Sequence, residues 1–169
     1  PQPKYPFHIT VAVRRRNVLR INEVSKVSAD ESFTDKTMSD LERACAETDA
    51  NPTPAQAEAG NYKKGKFSWN GLTIAVENPK GSTRSGVNKA GKSWSQKMQA
   101  TYGYFSGTVD KGNDGDHVDV FVGEHPESEL VFVINQNDPS TGKFDEVKVF
   151  LGALSEDEAK QSYLANYED

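Results

Sequence analysis

Asn113-Asp114-Gly115-Asp116-His117-Val118-Asp119-Val120-Phe121-Val122 passes from a glycine turn into a strand and sets three carboxylates within six residues. Side chains alternate along a strand, so Val118, Val120 and Val122 are expected to face a core while Asp119 points the other way, toward the acids of the turn. Carboxylates this close repel one another unless a cation intervenes, and without one at least one of them is expected to titrate high. Hard oxygen donors of this kind suit Mg²⁺ or Mn²⁺. A calcium loop is excluded: Asp110, Asp114 and Gly115 fall at its first, fifth and sixth places, but Phe121 stands where the bidentate Glu is required. A solvated acidic turn stays open beside the metal site.

Short strand candidates lie on both sides of this run: Phe67 to Trp69, Leu72 to Val76, Ser93 to Lys97, Val118 to Val122, Leu130 to Ile134 and Val147 to Leu151. Short strands separated by turn residues point to a mainly β, α+β chain, in the form of a small antiparallel barrel or sandwich with a few peripheral helices. Upstream, Phe7 to Val13 alternates as a half-buried strand does, and Val18, Leu19 and Ile21 read as the start of its partner. Ser39 with Glu42 reads as a capping box opening a short helix through Leu41, Ala44 and Cys45. Thr53-Pro54-Ala55-Gln56 opens another that stops at Gly60. At the far end Ser155 is expected to cap a helix with Glu158 completing the box, and Ala159, Tyr163 and Tyr167 lining one face.

The chain has 169 residues, a normal size for one domain with a core of its own. Its single cysteine, Cys45, forms no internal disulfide, and no apolar run approaches a membrane span, so a cytoplasmic setting without membrane contact is expected. Residues 1–66 carry a net charge of +2, residues 67–108 carry +4 and residues 109–169 carry −11, which together make the net −5. A basic stretch followed by an acidic one suits a polyanion bridged to the protein by cations, although charge counts alone favour an unevenly solvated surface. Nucleic acid is not expected as a partner: Arg14, Arg15 and Arg16 are the only basic cluster and end a strand-like run. The Pro- and Ala-rich segment from about Glu47 to Gly60 divides an N-terminal extension, residues 1–48, from a main domain, residues 49–169.

Tyr102-Gly103-Tyr104, followed by Asp114-Gly115-Asp116-His117-Val118-Asp119-Val120, resembles the signature of the family I soluble inorganic pyrophosphatases. In that family the second part reads Asp-Gly-Asp-Pro-x-Asp-Val, and His117 stands here in place of the proline. The resemblance spans roughly Phe67 to Lys148 and is compact, similar to the pyrophosphatase-like domains of large phage and mobile-element proteins, where Gly60-Asn61-Tyr62-Lys63-Lys64-Gly65 also has a likeness. It implies a barrel of the pyrophosphatase type acting on pyrophosphate or a small diphosphate with Mg²⁺, Mn²⁺ being an alternative. The chain would be a subunit of a homo-oligomer or part of a larger polypeptide.

The resemblance also implies roles. Asp116 and Tyr102 are the catalytic pair, with Asp114, Asp116, Asp119, Asp138, Glu77 and either Asp145 or Glu146 as metal ligands. Arg84, Lys97, Lys148, Tyr102 and Tyr167 bind phosphate. Lys97 takes the place of a family Arg and cannot grip two oxygens in a planar fork. Asp138 also begins Asp-Pro-Ser-Thr-Gly, an ordinary turn sequence. Tyr167 resembles the Tyr of a C-terminal Tyr-Lys pair, but Glu168 follows it. Two other functions stay open, hydrolysis of a different diphosphate-containing nucleotide and ligand binding without turnover.

Overall fold

The computed structural model describes residues 7–13, 29–87, 91–108, 116–138 and 140–167. In chain order the elements are β1 (Phe7–Val13), α1 (Ala29–Glu47), α2 (Pro54–Glu58), β2 (Lys66–Trp69), β3 (Leu72–Asn78), β4 (Thr83–Val87), β5 (Ser93–Lys97), β6 (Thr101–Phe105), β7 (Asp119–Val122), β8 (Leu130–Asn137), β9 (Phe144–Leu151) and α3 (Glu156–Leu164). Seven strands form one sheet in the order β1-β8-β9-β7-β6-β3-β2, and β4 pairs with β5 in a separate two-stranded sheet. The chain is thus mainly β with few helices. The expected antiparallel arrangement needs one correction: β7 runs parallel to β9, because the β8–β9 hairpin folds back to lay β9, not β8, against β7. In the described pairings β1 and β2 are the two ends of the sheet rather than a closing pair.

Both faces of the sheet are covered, which explains why β7 reads as nearly continuous apolar sequence. On one face Phe121, Phe132, Ile134 and Phe150 form a core with Ala159 and Tyr163 of α3. On the other, Val120, Val122, Ile74, Val76 and Leu151 pack with Leu41 and Ala44 of α1. Fully burying a side chain of this size contributes roughly 1.5–3 kcal/mol, so the two clusters hold the helices to the sheet. At Gly65 a side chain would run into the Ala44 carbonyl oxygen, so glycine is what allows the end of α1 to sit against β2 and β3.

The helix starts show where local signals suffice. Thr53 caps α2 with the expected box, its hydroxyl accepting from Gln56 N at 3.3 Å and its own N–H donating to Gln56 Oε1 at 3.0 Å. Gly60 ends the turn after α2 at φ +62°. Ser155 caps α3 as expected, but the Glu158 carboxylate accepts from Leu154 N at 2.8 Å, one residue before the cap. Ser39 does not cap a helix: it lies exposed inside α1, which begins ten residues earlier at Ala29, since no glycine or proline interrupts 29–47. Strands β4 and β6 were not among the strand candidates. The expected partner at Val18, Leu19 and Ile21, and the Arg14–Arg16 cluster, lie outside the described residues. No described helix is long and apolar enough to cross a membrane.

Candidate active site

Four neighbouring strands, β3, β6, β7 and β9, carry the expected chemistry on one face. Register places Tyr104 opposite Asp119 and Asp119 opposite Lys148, while Tyr102 stands one pleat along, opposite Phe121. The phenol of Tyr102 donates to Asp119 Oδ2 at 2.5 Å, and the Lys148 ammonium reaches the same oxygen at 2.5 Å. Gly103 is required between the two tyrosines, because a Cβ there would strike the Ala75 carbonyl oxygen on β3. The glycine of the tyrosine motif therefore sets how closely β6 and β3 approach.

Arg84 arrives from the separate β4–β5 hairpin. Its Nη2 donates to the Tyr102 hydroxyl at 3.2 Å, and its guanidinium carbon lies 4.2 Å from the centre of the Tyr102 ring. Trp94 flanks the same guanidinium at 5.6 Å. Cations over aromatic faces are held by the ring quadrupole, most firmly where water is excluded. Gln96 is the cross-strand partner of Arg84, so Lys97, exposed and opposite Thr83, falls on the alternate face of the hairpin.

Lys148 is only 3% exposed, and a buried ammonium needs partners. It has Asp119 at 2.5 Å and Glu146 Oε2 at 3.0 Å. Burial alone would lower its pKa, but Tyr102, Tyr167, Asp119 and Glu146 outweigh that and hold it well above the ordinary lysine value. Burial, Asp119 and the hydrogen bond push the Tyr102 phenol upward against the opposing pull of Lys148 and Arg84, so it stays a donor. Glu77 is likewise raised, first by burial and then by the Asp119 charge, with Lys64 and Arg84 opposing. Lys64 pairs with Glu77 at 3.6 Å and lies 4.2 Å from the Tyr62 ring centre.

Two β-bulges shape this face. On β3 the pairing with β6 slips between Val76 and Asn78, making Glu77 the extra residue. On β9 the pairing with β8 skips Asp145, leaving Glu146 in register with Gln136. A bulge re-aims a side chain, and here both flank the cluster. Glu146, not Asp145, bonds to Lys148. Tyr167 follows α3, half-buried with its ring 5.0 Å from that of Tyr163, and its pKa is raised by burial while the Lys148 and Arg84 charges pull it down.

Three expected residues remain, Asp114, Asp116 and Asp138. Asp114 lies outside the described residues, and Asp116 is exposed three positions before β7. His117, in the proline position, makes a 2.6 Å hydrogen bond between Nδ1 and the Thr108 carbonyl oxygen and stacks on Tyr104 with ring centres 4.7 Å apart. Asp138 Oδ1 accepts from the Ser140 hydroxyl and from the N–H groups of Thr141 at 2.9 Å and Ser140 at 2.8 Å, an Asx turn whose bonds lower its pKa to about 2. Lys64, Tyr62, Trp94 and Gln136 had no expected role at the site. Gln136 left one legible trace, since it falls on the Phe132 and Ile134 face of β8, where a polar residue is out of pattern.

Asp119 and Glu77 are hard oxygen donors whose charges sense each other, a donor chemistry that fits Mg²⁺. Among the described residues no three carboxylate, imidazole or thiol groups converge to hold a metal ion. The sequence model of the family described as inorganic pyrophosphatase matches residues 54–169, more than half of the chain. No curated protein and no solved structure matches it significantly.

Proposed function

The chain belongs to the inorganic pyrophosphatase family, and from that premise we propose that it hydrolyses inorganic pyrophosphate to two orthophosphates in a Mg²⁺-dependent reaction. The observation that carries this reading is the convergence of Arg84 and Lys148 on one phenol, 4.2 Å and 5.9 Å from the Tyr102 ring centre, beside the Asp119 carboxylate. A guanidinium and an ammonium charge next to an acid meet the need of a ligand that carries negative charge on two phosphoryl groups and would arrive with a cation.

In this reading Asp114, Asp116, Asp119, Asp138, Glu77 and one of Asp145 and Glu146 hold Mg²⁺, or Mn²⁺ in its place. Bound there, the metal lowers the pKa of water and neutralises phosphoryl oxygens. Asp116 orients the attacking water and accepts its proton. Arg84, Lys97 and Lys148 grip the phosphoryl groups, Tyr102 and Tyr167 offer hydroxyl donors, and the cations stabilise charge as it leaves with the departing phosphate. Residues 1–48 would form an extension to this domain, and the chain works as a homo-oligomer subunit or within a larger polypeptide.

Orthophosphate release from pyrophosphate, with and without Mg²⁺, tests the proposal. Release is expected only with the metal, and at least about 100-fold less with Asp116→Asn or Asp119→Asn. No release with any divalent cation would sink it. Release from nucleoside triphosphates or dinucleotide polyphosphates alone would move the activity to a nucleotide substrate. Binding without turnover is a second reading, favoured by the two donors on Asp119 Oδ2. Pyrophosphate affinity without any release would establish it.

A further inference from the structure

Beneath the cluster two residues that the proposed reaction does not use, Gln136 and Tyr163, extend its polar chain. Gln136 is 4% exposed on β8, in a core otherwise built of Phe121, Phe132, Ile134 and Phe150. Its Nε2 donates to Glu146 Oε1 at 2.8 Å, and its Oε1 accepts from the hydroxyl of Tyr163 at 2.6 Å. The other oxygen of Glu146 meets Lys148 at 3.0 Å, and Lys148 meets Asp119 at 2.5 Å. Donors and acceptors are therefore matched without a gap from α3 to Asp119.

The amide orientation follows from chemistry. An ionised carboxylate only accepts, so the NH₂ of Gln136 must face Glu146 and its carbonyl must face the phenol. Tyr163 is itself fixed, fully buried and packed edge-on against Phe7 at 5.2 Å and Phe121 at 5.6 Å. Each oxygen of Glu146 thus has one partner, an anchored amide on one side and Lys148 on the other. Without the amide, Glu146 is free to swing away, and Lys148 is left to Asp119 alone.

We infer that Gln136, anchored by the Tyr163 hydroxyl, is a positioning residue that keeps the Lys148 ammonium shared between Glu146 and Asp119 and so available to a phosphoryl oxygen. The inference rests on the reading of Lys148 as a phosphate-binding group. Gln136 does not touch substrate. It acts through Glu146, and Tyr163 acts through Gln136.

The test uses Gln136→Met, Tyr163→Phe and the double variant in the full chain, with two readouts. Gln136→Met is expected to raise KM for pyrophosphate about tenfold with little change in kcat, the loss of one charge-assisted contact, and Tyr163→Phe about threefold. The double variant is expected to be no worse than Gln136→Met alone, because the phenol acts only through the amide. The second readout is the Lys148 ammonium signal in ¹⁵N–¹H spectra, expected to shift in both single variants. KM within twofold of the parent and an unmoved Lys148 signal would overturn the inference. If the parent releases no orthophosphate, the hydrolase reading fails and the Lys148 signal alone decides the positioning role. If Gln136→Met does not fold, Tyr163→Phe, which keeps the packed ring, decides between the two outcomes.

Discussion

Asp119 and Lys148 stand side by side on the one parallel strand pair of the described sheet, with the lysine Nζ 2.5 Å from the aspartate Oδ2. Neither stands there by local sequence alone, since the β8–β9 hairpin must fold back before they can meet.

Removing the lysine leaves Asp119 and Glu146 facing each other with their shared cation gone. Breaking a buried pair from one side costs about 3–5 kcal/mol, and because the Asp119 side chain keeps 20% exposure the low end is expected. Lys148→Met should lower the urea unfolding free energy by about 3 kcal/mol. A loss under about 1 kcal/mol would mean that water already solvates the pair.

Tyr102→Phe keeps the ring against Phe121, centres 4.9 Å apart, and removes only the hydroxyl between Arg84 and Asp119. Hydrogen bonds to charged groups are worth roughly 1.5–3 kcal/mol, so kcat/KM for pyrophosphate is expected to fall about 10- to 100-fold while the fold persists. Unchanged kinetics would remove the phenol from the site.

Asp138 gives a pH signature. Its folded pKa, about 2, lies below the ordinary aspartate value of about 3.9, so the turn contributes stability above pH ~4 that is lost as pH falls toward 2. Asp138→Ala should flatten the decline of the thermal midpoint between pH 4 and 2. A decline of undiminished slope in the variant would assign the acid sensitivity to other carboxylates.

The helix α1 lies before the family-matched region but covers one face of the core. Residues 49–169 made alone should expose Phe67, Ile74 and Val76, lose at least about 3 kcal/mol of stability and bind a hydrophobic dye such as ANS. A shortened chain that melts at the parent temperature would make 1–48 dispensable to the fold.

What could be read in advance divides along physical lines. β5 and the caps of α2 and α3 were legible because alternation and capping are local. β4 was not: Thr-Arg-Ser-Gly-Val carries one large apolar residue, and pairing with β5 makes it a strand. β6 carries a glycine whose reason, the Ala75 carbonyl, lies on another strand. At the site, the resemblance to the pyrophosphatase signature named Tyr102, Asp119, Arg84 and Lys148, which the structure draws together. It could not choose between Asp145 and Glu146 as the metal ligand, since spacing along the chain says nothing of a bulge. Lys64 was missed because its meaning lies wholly in what folds against it, and Gln136 was missed although its break in the apolar face of β8 stood in the sequence.

The pairing of β1 with β8 carries a consequence for synthesis. Phe7 leaves the ribosome well before its register partner, Gln136, and before Tyr163, on which its ring rests. The early strand must idle while β2 to β7 are made, and non-local pairings of this kind are the slow ones to form. During translation Tyr102 and Tyr104 therefore emerge well before Lys148 and Tyr163, which complete the cluster and the layer beneath it.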